Sequence, residues 1–270
     1  MAGSLLYWLP TEARRTTLTN LRLCFPEKPE PEIRALARTS LRETGKTAFE
    51  LGLIWAAPIE RVMKHVVRVE GEELIDQALA QGKGLIIIAP HLGSWELSGL
   101  YVSTRVPITY LYRPPKIRAL EQVMTRFRGR GTANPVPTTP RGILQMVKAL
   151  KAGEVAGVLP DQQPGYDNGV FVPFFHEQAL TMTLVGKLSS RTGAPVISAV
   201  ARRLPRGQGF VIEFKPTVHG IGSEDPITSA AALNLSVEKL VRDLKEQYQW
   251  EYKRFKRRPP GEDRVIYPKR

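Results

Sequence analysis

The run Leu85-Ile86-Ile87-Ile88-Ala89 constrains this chain more than any other feature. Five consecutive apolar residues leave no polar face to turn to water. Such a strand is covered on both sides, as in a parallel sheet between layers of helices. The surrounding pattern agrees. Val66–Val69, Pro107–Tyr112, Val155–Leu159, Val196–Ala201 and Phe210–Phe214 also read as strands. Glu72–Gln81 (closed by Gly82), Lys116 to about Arg128, Arg141–Ala152 and Leu180–Thr192 read as the helices between them. The stripe Val237, Leu240, Val241, Leu244, Tyr248, Tyr252 and Phe255 predicts one long helix from Thr228 to Arg254. Two further helices come first: one from Thr11 and Glu12 to about Phe25, ended by Pro26-Glu27-Lys28-Pro29, and one from Glu30 to Ala56. The expected fold class is α/β: a central mixed, largely parallel sheet flanked by helices, with an N-terminal helical region. The expected divisions are a helical, membrane-associating region over 1–58, the α/β domain over 59–258 and a basic tail over 259–270.

In a sheet of this kind, ligands bind beyond the carboxyl ends of the strands. Pro90-His91, Arg113-Pro114 and Asp161-Gln162 each follow an apolar strand. Topology therefore selects a histidine, an arginine and an aspartate. His91-Leu-Gly-Ser-Trp-Glu96 adds an acid five residues after the base. On one helix, that spacing would put them about 140° apart. They meet only if His91 lies before the helix, in extended backbone. Glu96 could then reach back to one ring nitrogen, fix the tautomer and stabilise the imidazolium. The amides of Gly93 and Ser94, near the helix start, are candidates for holding an anion.

Composition narrows the function. With 39 Lys+Arg and 26 Asp+Glu among 270 residues, the formal charge is +13, which points to a polyanionic partner. The single Cys24 allows no intrachain disulfide and no Cys-rich zinc module. His65, His176 and His219 are scattered, so no metal or other cofactor is expected. No Gly-x-Ser-x-Gly elbow accompanies Ser94 or Ser98. No run of 18 apolar residues exists, and Leu5–Leu9, with Tyr7 and Trp8, would give at most a minimal interfacial anchor. Nucleic acid is not expected, because no helix-turn-helix, RNA-binding signature or aromatic–basic interleaving appears.

These residues resemble the bacterial lipid A biosynthesis acyltransferases, within the lysophospholipid acyltransferase superfamily. The family's His-x4-Glu motif matches His91 and Glu96. Tyr112-Arg113-Pro114, the arginines Arg126 and Arg128, Pro160-Asp161-Gln162-Gln163, Phe171–Phe175, Arg191–Val196 and Gln247–Trp250 match in the same order. His176 stands where glycine is usual after Phe171–Phe175. Two departures are visible: the family's usual N-terminal membrane helix is absent or cut to Leu5–Leu9, and Lys116, Ile117 and Arg118 occupy a stretch that usually holds asparagine. The resemblance implies an O-acyltransferase taking a fatty acyl group from acyl carrier protein, as co-substrate, to a hydroxyl of a phosphorylated glycolipid acceptor. It would work at the cytoplasmic face of the inner membrane, against an anionic membrane surface. His91 would be the general base with Glu96. Arg113, Arg126 and Arg128 would hold acceptor phosphates. Asp161 would bind substrate or position Arg128. Gly93 and Ser94, or Arg113, would stabilise the oxyanion. Phe171, Phe174 and Phe175 are candidates for an acyl channel. An acyltransferase for a glycerolipid or amino-lipid, a thioester hydrolase and a non-catalytic lipid-binding protein are the alternatives.

Overall fold

The computed structural model describes residues 11–114 and 118–268, the side chains of 118–120, 123 and 124 aside. The anchor expected at Leu5–Leu9 lies outside the described residues, as do Lys116 and Ile117. The chain opens with α1 (Glu12–Cys24) and α2 (Glu30–Ala56). Thr11 caps α1, its hydroxyl accepting the Arg14 amide at 3.2 Å. Pro31 and the acids Glu30 and Glu32 occupy the first turn of α2. At its other end, the Arg130 guanidinium donates to the carbonyls of Ile54, Trp55 and Ala57 at 2.6–3.1 Å. A cation thus caps a helix C-terminus.

The α/β part runs α3 (Ile59–Met63), β1 (Val66–Glu70), α4 (Glu73–Leu79), β2 (Leu85–Ile88), α5 (Trp95–Arg105), β3 (Ile108–Tyr112) and α6 (Arg118–Arg128). It continues with β4 (Ala133–Pro137), α7 (Pro140–Lys151), β5 (Val155–Val158), β6 (Gly169–Phe174), β7 (Glu177–Met182), α8 (Leu184–Thr192), β8 (Val196–Arg203), β9 (Phe210–Pro216) and α9 (Pro226–Asp243). Seven strands form one sheet in the order β1-β9-β8-β2-β5-β3-β4. The pairs from β8 to β4 are parallel, β8 and β9 are antiparallel, and β1 runs parallel to β9. The mixed, largely parallel sheet is as expected. β2 lies between β8 and β5, and all four of its residues are buried. Ile86 and Ile88 face one apolar layer, Leu85 and Ile87 the other.

Several elements differ from the sequence reading. Ala133–Pro137 pairs at the sheet edge despite two prolines, which an edge strand tolerates. Glu177–Met182 is the second strand of a hairpin with Gly169–Phe174, so the helix expected from Leu180 begins at Leu184. The last long helix stops at Asp243. Beyond it the backbone turns to pair with the loop holding His91: Gly93 donates to the Gln247 carbonyl at 3.1 Å and Gln249 to the His91 carbonyl at 3.1 Å. The apolar stripe continues through the break, because Leu244, Tyr248, Trp250 and Phe255 join the same core as Val237 and Leu240. That core also holds Phe174 and Phe175, which do not line the cavity that His91 faces.

Candidate active site

β2 delivers His91 to the carboxyl edge of the sheet. Pro90 and the left-handed Gly93 (φ +61°) keep the intervening residues out of α5. A side chain at Gly93 would meet the Ala201 carbonyl oxygen at 2.2 Å, so only glycine fits this crossing. The next strand, β5, delivers Asp161 beside His91. One carboxylate oxygen lies 2.9 Å from His91 Nδ1, and the other accepts the His91 backbone amide at 2.9 Å. Asp161 therefore holds both the ring and its main chain. With Nδ1–H given to Asp161, Nε2 carries the lone pair and accepts the Gln162 amide at 3.2 Å. The imidazole edge is partly exposed, at 14%, while the aspartate is 3% exposed. Burial alone would raise the Asp161 carboxyl. The positive charge available on His91 and its hydrogen bonds outweigh burial and hold it below the usual range. The Tyr248 phenol, buried beside Asp161, is pushed well up by burial and then by that carboxylate. Trp95 packs on the imidazole with ring centres 5.0 Å apart.

Glu96 does not reach His91. It sits in the first turn of α5 and points the other way, to the end of α6 and to α2. There it accepts from Arg128 through both oxygens, one contact being 3.3 Å, and from Trp55 Nε1 at 3.4 Å. The side chains are 13% and 22% exposed. The Arg128 guanidinium also lies over the Trp55 ring at 5.6 Å. Burial would lower its basicity, and the Glu96 carboxylate more than restores it. The expected partners are thus exchanged: Asp161 orients His91, and Glu96 positions Arg128. Asp161, buried behind His91, is not placed to bind sugar hydroxyls.

Other expected residues separate too. The Gly93 and Ser94 amides are spent on the carbonyls of Gln247 and Ala201, at 3.1 and 2.8 Å, so neither is free for an oxyanion. Helix α5 begins after them, at Trp95, which is why the expected donors fall in the supporting loop instead. Arg113 is exposed on the rim of the cavity that His91 faces. Arg128 lines that cavity as well. Arg126 lines a separate shallow depression with Phe127 and Arg130. Gln162, Tyr248 and Trp95 were not singled out by sequence reasoning as site residues. The position of Gln162 beside Asp161 at a strand end was the one available signal.

The cavity has a volume of about 1160 Å³ and bends around the carboxyl edge of β3 and β5. One arm follows α5 on the Ile87 face, past Ser98, Gly99, Val102 and Ile108. The other lies on the opposite face between α7 and α8, past Ile143, Val147, Leu184 and Leu188. Ser98 Oγ is buried beside the first arm with no hydrogen-bond partner among the described residues. Among the described residues, no serine or cysteine side chain bonds to the His91 ring.

Fold and site together define an α/β protein in which a histidine, oriented by a buried aspartate, faces a largely apolar cavity. Residues 3–257 match the family model described as bacterial lipid A biosynthesis acyltransferase. The chain is 34% identical over 243 residues to the lipid A biosynthesis lauroyltransferase of Escherichia coli (strain K12), covering 90% of this chain and 78% of that protein. It is 32% identical to the palmitoleoyltransferase of the same strain, over 90% of this chain and 78% of the other. It is 25% identical to the myristoyltransferase of that strain, over 94% and 78%. The chain belongs to the bacterial lipid A biosynthesis acyltransferase family.

Proposed function

We propose that this acyltransferase moves a fatty acyl group from the thioester of acyl carrier protein to a hydroxyl of a phosphorylated lipid A precursor. The observation that carries the reading is the His91–Asp161 pair, with Nε2 turned to an apolar cavity. The acceptor hydroxyl displaces the Gln162 amide, gives its proton to Nε2 and attacks the thioester carbonyl. Asp161 stabilises the imidazolium so formed. The tetrahedral intermediate then collapses, the carbon–sulfur bond breaks, and the leaving thiolate takes the proton from His91. The acyl group passes directly, without a covalent enzyme intermediate. Gln162, released from Nε2, and Arg113 on the rim are the donors for the oxyanion. The arm along α5 takes the transferred chain. Glu96 and Arg128 form an ion pair that braces the wall between α2, α5 and α6.

The protein works at the cytoplasmic face of the inner membrane. Phe49 and Leu53 are 73% and 36% exposed, one turn apart on α2, and the adjoining Ile54 and Trp55 line the cavity. An apolar helix edge beside the cavity, on a chain of charge +13, suits an anionic leaflet. Among the described residues, no helix is long and apolar enough to cross a membrane.

The deciding experiment incubates the purified chain with an acyl–carrier thioester, with and without the phosphorylated glycolipid, and follows products by mass spectrometry. Acylated glycolipid is expected, with little free acid when acceptor is omitted. Free acid released at the same rate without acceptor would make the enzyme a hydrolase.

A further inference from the structure

The segment Arg191–Val196 has no part in the chemistry above, yet Arg191 lines the cavity. So do Leu184, Lys187 and Leu188. These positions are i, i+3, i+4 and i+7 of α8, so one helical face carries two apolar and two cationic side chains into the same space. Ile143 and Val147, at i and i+4 of α7, face the same space. The second arm is therefore an apolar groove with cations on one wall.

Its direction follows from topology. Thr183, just before α8, donates to the Asn168 carbonyl at 3.1 Å, in the loop beyond the carboxyl end of β5. After α8 the chain enters β8, where Val196 pairs in parallel with Ile86 near the start of β2. Helix α8 therefore runs from the His91 edge of the sheet back to the opposite edge. Leu184 and Arg191 are separated by seven residues, or about 10 Å of helix. Lys187 and Arg191 lie progressively farther from the base.

These two cations also differ from others around the cavity. Arg128 is bound to Glu96, and Arg257 donates to the Pro164 carbonyl. Neither Lys187 nor Arg191 has a carboxylate partner among the described residues, and both are exposed. Two unneutralised cations at the far end of an apolar groove suit an anion on a long, weakly polar arm. Guanidinium and ammonium together suit phosphate.

We infer that Lys187 and Arg191 form a phosphate subsite, about two helical turns down α8 from the His91 edge, that holds the phosphate ester of one substrate during transfer. This rests on the acyl-transfer reading above. Two substrates supply that chemistry: the phosphodiester of the carrier protein's prosthetic arm, and the phosphate of the glycolipid acceptor.

The test uses the full chain with Lys187→Gln and Arg191→Gln combined. Both positions are exposed, and thermal melting checks the fold. Each substrate is varied at saturating levels of the other. The KM of one substrate should rise about tenfold, the loss expected for roughly one charge-assisted hydrogen bond, with kcat within about twofold. A change in acceptor KM that vanishes with dephosphorylated acceptor assigns the subsite to the glycolipid. A change in donor KM that vanishes with a short acyl thioester lacking phosphate assigns it to the carrier arm. Arg191→Lys alone should keep most of the affinity. Unchanged KM values for both substrates, or a fall in kcat alone, would overturn the subsite. A second readout is independent of turnover: calorimetric binding of dodecyl phosphate below its micellar concentration. It should weaken about tenfold in the double variant, while binding of a neutral dodecyl glycoside should not change. Equal dodecyl phosphate affinity in both proteins would also overturn the subsite. If the wild-type chain transfers no acyl group, the transfer reading fails, and the dodecyl phosphate comparison still judges Lys187 and Arg191.

Discussion

Two carboxylates flank the loop between β2 and α5, and each holds a different kind of cation. Asp161 holds an imidazole, a ring that can take up a proton and give it back. Glu96 holds an arginine that never does. The first pair can take part in proton transfer. The second can only fix position and field. Spacing in a motif therefore does not reveal who touches whom: His91 and Glu96 are five residues apart and face opposite ways. The partner of the base arrives from seventy residues downstream, on the neighbouring strand.

The largest effect should come from removing the base. His91→Ala should lower kcat about 10²–10⁴-fold, the usual worth of general-base assistance, and should lower the melting temperature somewhat while unfolding stays cooperative, because buried Asp161 loses its ring partner. A purified variant keeping a tenth of wild-type kcat would remove His91 from the proton transfer.

Asp161→Asn should follow closely, at about 10²–10³-fold, because an amide can stabilise neither the Nδ1–H tautomer nor the imidazolium as a carboxylate does. It also has a pH signature. The Asp161 carboxyl is held below its ordinary range in the folded protein. Its stabilisation is therefore complete above the unfolded value, about 3.9, and is lost as pH falls below that toward the folded value. Thermal melting should drop more steeply below pH ~4 in the wild type than in Asp161→Asn. Parallel curves would contradict the depressed carboxyl.

Glu96 should behave differently if its role is to hold Arg128. Glu96→Ala leaves a partly buried guanidinium without its carboxylate and should cost about 1–3 kcal/mol of stability as well as activity. Glu96→Gln should cost less. The double variant Glu96→Gln/Arg128→Gln should be less damaged than the sum of its singles, by about 1 kcal/mol on denaturant unfolding. Strict additivity would mean that the two side chains act independently.

The smallest effect on rate should come from Gly99→Leu in the arm along α5. A Cβ at Gly99 meets nothing within 4 Å, and leucine favours the helix, so the fold should hold. The added side chain enters the arm and should shift preference toward shorter acyl donors in a competition assay by severalfold. An unchanged chain-length profile would place the transferred chain elsewhere.

The sheet was legible because its central strands are apolar runs that can exist only between two layers. The same runs placed His91, Arg113 and Asp161 at one edge before any contact was known. Partner choice was not legible. Both Glu96 and Asp161 are acids within plausible reach of His91, and only the start of α5 at Trp95 decides which way Glu96 points. The hairpin of β6 and β7 was hidden because its turn at Phe175 and His176 carries no glycine or asparagine, although Phe175 adopts φ +54°. Charge near the C-terminus also carries structural duties that composition does not reveal. Arg254 is buried and donates to the Leu180 carbonyl at 2.6 Å, and Arg258 pairs with Glu177, so part of that charge is structural.

The backbone bonds from Gln247 and Gln249 to the His91 loop have a temporal side. On the ribosome, His91 emerges long before the residues that anchor it. Through most of synthesis, the nascent polypeptide carries this imidazole without the segment that pairs with its loop. The His91 loop therefore gains these bonds only after residues 247–250 have left the exit tunnel. A cut just before Gln247 should leave the sheet with a His91 loop that lacks these backbone partners.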